Sequence, residues 1–267
     1  MARREPTMPL TDFQARVARL LAANRTEDSY LAGGAAILIE PNTTRYSRDL
    51  DYFHDSESRV ATAFGADRAL LDREGFDVEV DLNQPGYIRA IVTRADDAAK
   101  VEWARDSAWR FMPTVKDDRV GFLLHPVDLA VNKVLALAGR DEPRDLLDIV
   151  HLHRNVLVLA TLCWAACGKD PGFSPISILE LLRRRGRVRP EDLARLDLAQ
   201  EIDLADLKRR WLEALEDVEP FARSRPAEEL GCLYFSPAHR AFVDPRAADD
   251  AVPHFGRPGG VVPQVRG

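Results

Sequence analysis

The sequence predicts an α/β (α+β) protein in two parts, a small mixed sheet in the first half and an all-helical second half. Three observations carry that prediction. Phe76, Val78, Val80 and Leu82 alternate with Asp77, Glu79 and Asp81, the period-two pattern of a half-buried strand. From Pro126 to Val218 the apolar residues fall at helical spacing instead. Between them in kind is the stretch Arg-Tyr-Ser-Arg-Asp-Leu-Asp-Tyr-Phe at residues 45–53. It sets Asp49 and Asp51 two residues apart among β-forming neighbours, so that on a strand both carboxylates point to one face.

Taken in order, residues 10–24 carry Phe13, Val17, Leu20 and Leu21 at helical period, with Thr11 or Asp12 to cap them. Residues 29–32 read as a short link into Gly33-Gly34, residues 35–40 as an apolar helix, and 41–44 as a turn. The strand over 45–53 follows, then a helix over 57–74 with Val60, Phe64, Leu70 and Leu71 on its apolar side. After the alternating strand, Gln84-Pro85-Gly86 makes a turn into a second strand over 87–94. A third strand over 100–104 brings Glu102 to the same sheet, and 119–124 is a further strand.

Pro126 sits well in the first turn of a helix that Gly139 closes. Asp141-Glu142-Pro143 starts the next, which is expected to run from Arg144 to Cys167 without a break. Helices over 176–185, 190–198 and 204–218 complete the series, and the Pro- and Gly-rich residues beyond Pro245 are expected to be poorly ordered or draped over the surface. The predicted division is a core of residues 1–124, a helical domain of 125–243 and a poorly structured tail of 244–267.

A chain of 267 residues with 46% hydrophobic and 30% charged residues is an ordinary globular composition with room for a substantial core. A net charge of −6 argues against a protein that coats nucleic acid over its whole surface, while leaving a local basic groove allowed. Three cysteines with no Cys-x-x-Cys pair make neither a disulfide scaffold nor a zinc site, and no apolar run reaches the ~20 residues of a membrane span. The expected setting is reducing and cytoplasmic.

Two like charges held side by side cost free energy unless a cation neutralises them, so Asp49 and Asp51 point to a divalent metal. Either Glu102 or Asp106 can supply a third carboxylate. Gly33-Gly34 is either a plain tight turn or a helix start whose free N–H groups suit a phosphate. In the helical half Lys133 is flanked by apolar residues and must snorkel or meet a negative partner. Asp145 and Asp148 share a helix face, and Arg144 is four residues before Asp148, where it can pair with it. Arg183, Arg184, Arg185, Arg187 and Arg189 form a basic cluster that is either a solvated helix end or a hold on a phosphate backbone.

Gly33-Gly34, then Ser47-Arg48-Asp49-Leu50-Asp51, then Asp128-Leu129-Ala130-Val131-Asn132-Lys133, then Gly139-Arg140 through Arg144-Asp145-Leu146-Leu147-Asp148 form an ordered series of motifs. With them the chain resembles the AbiEii/AbiGii-type nucleotidyltransferase toxins of bacterial type IV toxin–antitoxin pairs, within the DNA polymerase beta-like superfamily. The resemblance implies a polymerase beta-like nucleotidyltransferase core followed by a helical domain, with the active cleft between them. It implies metal-binding and catalytic roles for Asp49 and Asp51, catalytic roles for Lys133 and Asp148, and nucleotide contacts from Gly33, Gly34, Ser47, Arg48, Lys133, Arg144 and Asp145. Gly34 is followed by Ala35, where the family often carries a hydroxyl, so a side-chain contact to phosphate is not expected there. Two Mg2+ ions, an NTP substrate, an RNA acceptor, foremost tRNA, and a cognate antitoxin complete the expectation. A nucleotide-binding regulatory module without turnover, and an aminoglycoside-modifying type of nucleotidyltransferase, are the alternatives.

Overall fold

A computed structural model describes residues 10–37 and 44–264 of the chain. They form a mixed α/β structure that divides into two compact units. The first runs to Ala108 and takes in Pro113–His125; the second comprises Trp109–Met112 and the chain from Pro126 onward.

The first unit is built on a seven-stranded sheet. In chain order the strands are β1 (Ser29–Ala32), β2 (Asp49–His54), β3 (Asp77–Gln84), β4 (Tyr87–Arg94), β5 (Asp97–Arg105), β7 (Val115–Asp117) and β8 (Gly121–Leu123), while β6 (Trp109–Arg110) belongs to the other unit. Their spatial order is β3-β4-β5-β2-β1-β8-β7. The pairs β2–β5 and β1–β8 are parallel and the rest antiparallel. Helix α1 (Asp12–Leu21) opens with a full capping box between Thr11 and Gln14. Helix α3 (Glu57–Arg73), capped by Ser56, lies against one face of the sheet, where its Phe64 meets Trp103 edge-on. Leu50, Tyr52, Val101 and Trp103 point to that side and are fully buried. Strand alternation therefore sends Asp49, Asp51, Lys100 and Glu102 to the opposite face.

The second unit contains α4 (Pro126–Gly139), α5 (Pro143–Asn155), α6 (Leu159–Lys169), α7 (Pro175–Arg185), α8 (Pro190–Leu193), α9 (Leu204–Glu216) and α10 (Val218–Ser224). Beside them β9 (Leu233–Ser236), β10 (Ala241–Phe242) and β11 (Val252–His254) make a small antiparallel sheet, and β12 (Arg257–Pro258) pairs with β6. Asp128, buried in the first turn of α4, accepts the backbone N–H groups of Phe111 (2.7 Å) and Met112 (3.0 Å) and so ties the β6 segment to the helices. Cys163, Cys167 and Cys232 are free and buried. Among the described residues no single helix is long and apolar enough to cross a membrane.

Several expectations change. Residues 29–32 are no link but β1, buried along its whole length; with no solvated face it shows no alternation to read. The strand expected from residue 45 begins at Asp49, where pairing with β5 starts; before it the Ser47 hydroxyl bonds the Asp49 carbonyl and Gln14 holds the Ser47 carbonyl. The helix expected from Arg144 to Cys167 is two helices meeting at 112°. Leu157 donates back to Leu152 and His153 Nδ1 accepts the Leu159 amide at 2.9 Å, which ends one helix and caps the next. The helix expected over 204–218 breaks at Asp217, since Pro220 has no N–H to continue the ladder. The helix expected over 190–198 stops at Leu193, its one buried residue. The stretch beyond Pro245, expected to lack structure, carries β11 and β12, whose prolines sit at sheet edges. Helix α2 (Gly33–Ile37) starts at the glycine pair as expected; the rest of the helix expected to residue 40 and most of the turn over 41–44 lie outside the described residues.

Candidate active site

The site begins with the register of three strands. β2 pairs with β1 on one side and β5 on the other, so Asp51 stands between Ala32 and Glu102, and Asp49 opposite Lys100. Asp49, Asp51 and Glu102 each offer a carboxylate oxygen within 4.8 Å of the others. Of the two candidate third carboxylates, Glu102 is in this cluster. Asp106 lies just past the end of β5, its amide bonded to the His54 carbonyl. Lys100 Nζ is 3.0 Å from Asp49 Oδ2 and 3.1 Å from Glu102 Oε1. Burial lowers the pKa of Lys100, but its hydrogen bonds and attraction to Asp49 and Glu102 outweigh that and hold it above the usual value. On the neighbouring β4 the Tyr87 hydroxyl, pushed up to about 12 by burial and by the Glu102 charge, bonds to Glu102.

The glycine pair is explained by what approaches it. Gly33 has φ +62, and a Cβ there would lie 1.9 Å from Asp51 Oδ2. A Cβ on Gly34 would lie 2.8 Å from Arg45 Nη2 and 3.2 Å from Ser47 Oγ. The backbone of α2 is thus pressed against the acidic cluster. Ser47 is buried and donates its hydroxyl to the Asp49 carbonyl at 2.9 Å, fixing the approach to β2, while Gln14 of α1 holds the Ser47 carbonyl at 3.2 Å. Arg48 is exposed.

The helical residues form a second polar centre in their own unit. Lys133 Nζ, almost fully buried on α4, lies 2.8 Å from both Asp145 and Asp148 of α5, each fully buried. Arg140 reaches Asp145 from the turn between the helices at 2.7 Å. Burial works against the Lys133 ammonium, yet the two carboxylates keep its pKa raised; Asp145 is correspondingly lowered, Lys133 and Arg140 outweighing its burial. Arg144 has Glu142 at 3.9 Å. In the basic cluster, Arg185 caps α4 by donating to the Ala138 carbonyl at 2.6 Å and Arg189 pairs with Asp192, while Arg183, Arg184 and Arg187 are exposed.

With this geometry established, the profile of the family described as "Nucleotidyl transferase AbiEii toxin, Type IV TA system" matches residues 17–244. The chain belongs to the AbiEii nucleotidyltransferase toxin family. No curated protein sequence shows significant similarity to it. Among solved structures, MenT4, a nucleotidyltransferase toxin of Mycobacterium tuberculosis H37Rv, superposes with a TM-score of 0.51 at 16% identity, over 81% of this chain and 83% of that one. A putative nucleotidyltransferase of Helicobacter pylori gives 0.47 at 18% identity, over 79% and 93%. The MenT4 likeness agrees with the mixed α/β fold, and the family match makes the chain a nucleotidyltransferase of the AbiEii family.

Reasoning from sequence did not single out Lys100, Gln14 or Asp128 for these contacts. Lys100 had a signal in hindsight: it is two residues before Glu102, hence on the same strand face. Gln14 and Asp128 act through backbone groups distant in sequence, and no spacing reveals such partners.

Proposed function

We propose that this AbiEii-family enzyme is a metal-dependent nucleotidyltransferase that transfers a nucleotide from an NTP to RNA, foremost tRNA, and releases pyrophosphate. The observation that carries the reading is the convergence of Asp49, Asp51 and Glu102 on one sheet face in a chain of this family. Three clustered carboxylates are the hard oxygen donors that Mg2+ prefers, and a lysine ammonium already in contact with two of them marks the place as one that takes a cation. Mg2+ bound there supplies charge stabilisation for the attacking and leaving oxygens of an in-line displacement.

The chain's own residues do the rest. Asp51 is fixed by strand pairing on both sides and Asp49 by pairing with β5, so their carboxylates need little reorganisation when charge develops. Gly33 lets backbone come close to the acidic cluster, where phosphates would be held, Gly34 lets it come close to Ser47, and the exposed Arg48 precedes Asp49 in the chain. For Lys133, Arg144, Asp145 and Asp148 the family resemblance implies nucleotide contacts; within the helical unit Lys133 is held between Asp145 and Asp148. Exposed Arg183, Arg184 and Arg187 favour a polyanionic acceptor. The family's type IV toxin–antitoxin context makes a cognate antitoxin the expected regulatory partner.

Incubation with labelled NTPs, Mg2+ and total RNA or protein is the test. Label is expected on RNA of tRNA size, with pyrophosphate released. Asp49→Ala should lower transfer by about a thousandfold or more, the equivalent of ~4 kcal/mol in barrier, while keeping the wild-type circular dichroism spectrum and melting temperature. Wild type that labels no acceptor and matches Asp49→Ala refutes the proposal. NTP-dependent thermal stabilisation without pyrophosphate release would indicate a nucleotide-binding module instead.

A further inference from the structure

Four charged side chains share one face of the parallel pair β2 and β5. The register sets Asp49 opposite Lys100 and Asp51 opposite Glu102, so an ammonium is built into the row of carboxylates. Its distances of 3.0 Å to Asp49 and 3.1 Å to Glu102 are those of charge-assisted hydrogen bonds. These bonds occupy oxygen lone pairs on two of the three groups in the acidic cluster. The strands are rigid at this point, whereas the four-carbon stem of a lysine is flexible.

We propose that Lys100 is a resident counter-cation of the acidic site, holding Asp49 and Glu102 in place without metal and leaving when a divalent ion enters. The inference rests on reading the cluster as a metal site, and it adds a residue and an exchange step to that reading. Without a cation the three carboxylates repel one another. The lysine relieves that repulsion in the free protein. A divalent ion bound to the same oxygens at about 2.1 Å would leave an unmoved ammonium only a few ångström from a double positive charge. The two cations are therefore alternatives. The side chain of Lys100 is 33% exposed, which leaves it a way out to solvent.

Two consequences follow. A metal alone binds weakly, because it must first break both ion pairs. A nucleotide brings phosphate oxygens that give the released ammonium a new partner, so metal and nucleotide strengthen each other's binding through Lys100.

The test is titration of the full-length protein with Mn2+ at fixed pH, followed by electron paramagnetic resonance, in wild type, Lys100→Met and Lys100→Arg. Lys100→Met is expected to bind Mn2+ at least tenfold more tightly than wild type in the absence of nucleotide. Lys100→Arg, which keeps the charge, should bind no more tightly than wild type. A non-hydrolysable NTP analogue should tighten Mn2+ binding by a larger factor in wild type than in Lys100→Met. Should Lys100→Met fail to fold by circular dichroism, Lys100→Thr, a good strand former, carries the same expectation. Unchanged or weaker Mn2+ binding in the neutral variant overturns the proposal, as does tight binding by Lys100→Arg. Wild type that transfers nucleotide while the neutral variant gains no Mn2+ affinity sinks the exchange and leaves the proposed function standing. Tighter Mn2+ binding by the neutral variant, in a protein that labels no acceptor, does the reverse.

Discussion

Lys133 shows how one buried charge can hold two helices together. Its ammonium is nearly buried and shared between two fully buried carboxylates. Removing one member of such a group leaves uncompensated charge in a low dielectric, a larger penalty than the group's net worth when intact. Lys133→Met should therefore lower the unfolding free energy by roughly 3 kcal/mol, read by chemical denaturation. An unchanged denaturation midpoint would mean that the network is hydrated and gives no support to the fold. A lost activity in this variant must be judged against that drop. Asp49 differs, because it stands at the sheet face with the part-exposed Lys100 and Glu102 beside it.

Between elements, the sheet and its covering helix show which features a sequence makes legible. The β3–β4 hairpin was readable because one face alternates and Pro85-Gly86 supplies the turn, with Gly86 at φ +74. Asp49 and Asp51 were readable because strand period alone puts them on one face, whereas Glu102 joins them through the β2–β5 register and was left open against Asp106. β1 was hidden by burial on both faces, and the break between α5 and α6 by a run of apolar residues that fits one helix or two. Most hidden of all is Asp67. It sits on the core side of α3, where it pairs with the buried Arg25, accepts from Trp103 Nε1 at 2.7 Å and from Asn24 at 2.8 Å, while Arg25 stacks over the Tyr52 ring at 4.4 Å. A charged residue on a helix normally signals the solvated side, so the pattern of apolar residues passes over it. Asp67→Ala strands a buried guanidinium and is expected to cost about 3–5 kcal/mol. A thermal shift close to zero would show that Arg25 finds water or another carboxylate.

For the molecule as a whole, the buried titratable groups set an acid limit on stability. His54 closes β2 with neither ring nitrogen hydrogen-bonded, and burial, helped by the charges of Arg25 and Arg59, pushes its pKa down to about 3. Burial alone takes His125 to about 4. In the unfolded chain both titrate near 6.5. Below that value the unfolded state takes up protons that the native state refuses, so their contribution is complete above about pH 6.5 and lost as the pH falls. At pH 5 each histidine costs about 2 kcal/mol relative to neutral pH. Asp128 works in the other direction: burial, opposed by its two backbone hydrogen bonds, raises it to about 6. Its native form thus gains protons before its unfolded form, and this favours the fold as the pH drops from 6 toward 4. The sum of such opposing groups does not isolate any one of them, but a difference between variants does. His54→Leu removes a proton acceptor while keeping an apolar side chain. Its loss of unfolding free energy between pH 7.5 and pH 5 should be about 2 kcal/mol smaller than that of wild type, whatever its absolute stability. Parallel pH profiles for the two proteins would show that His54 takes up its proton as readily in the native state as in the unfolded chain, with a carboxylate or water reaching the ring.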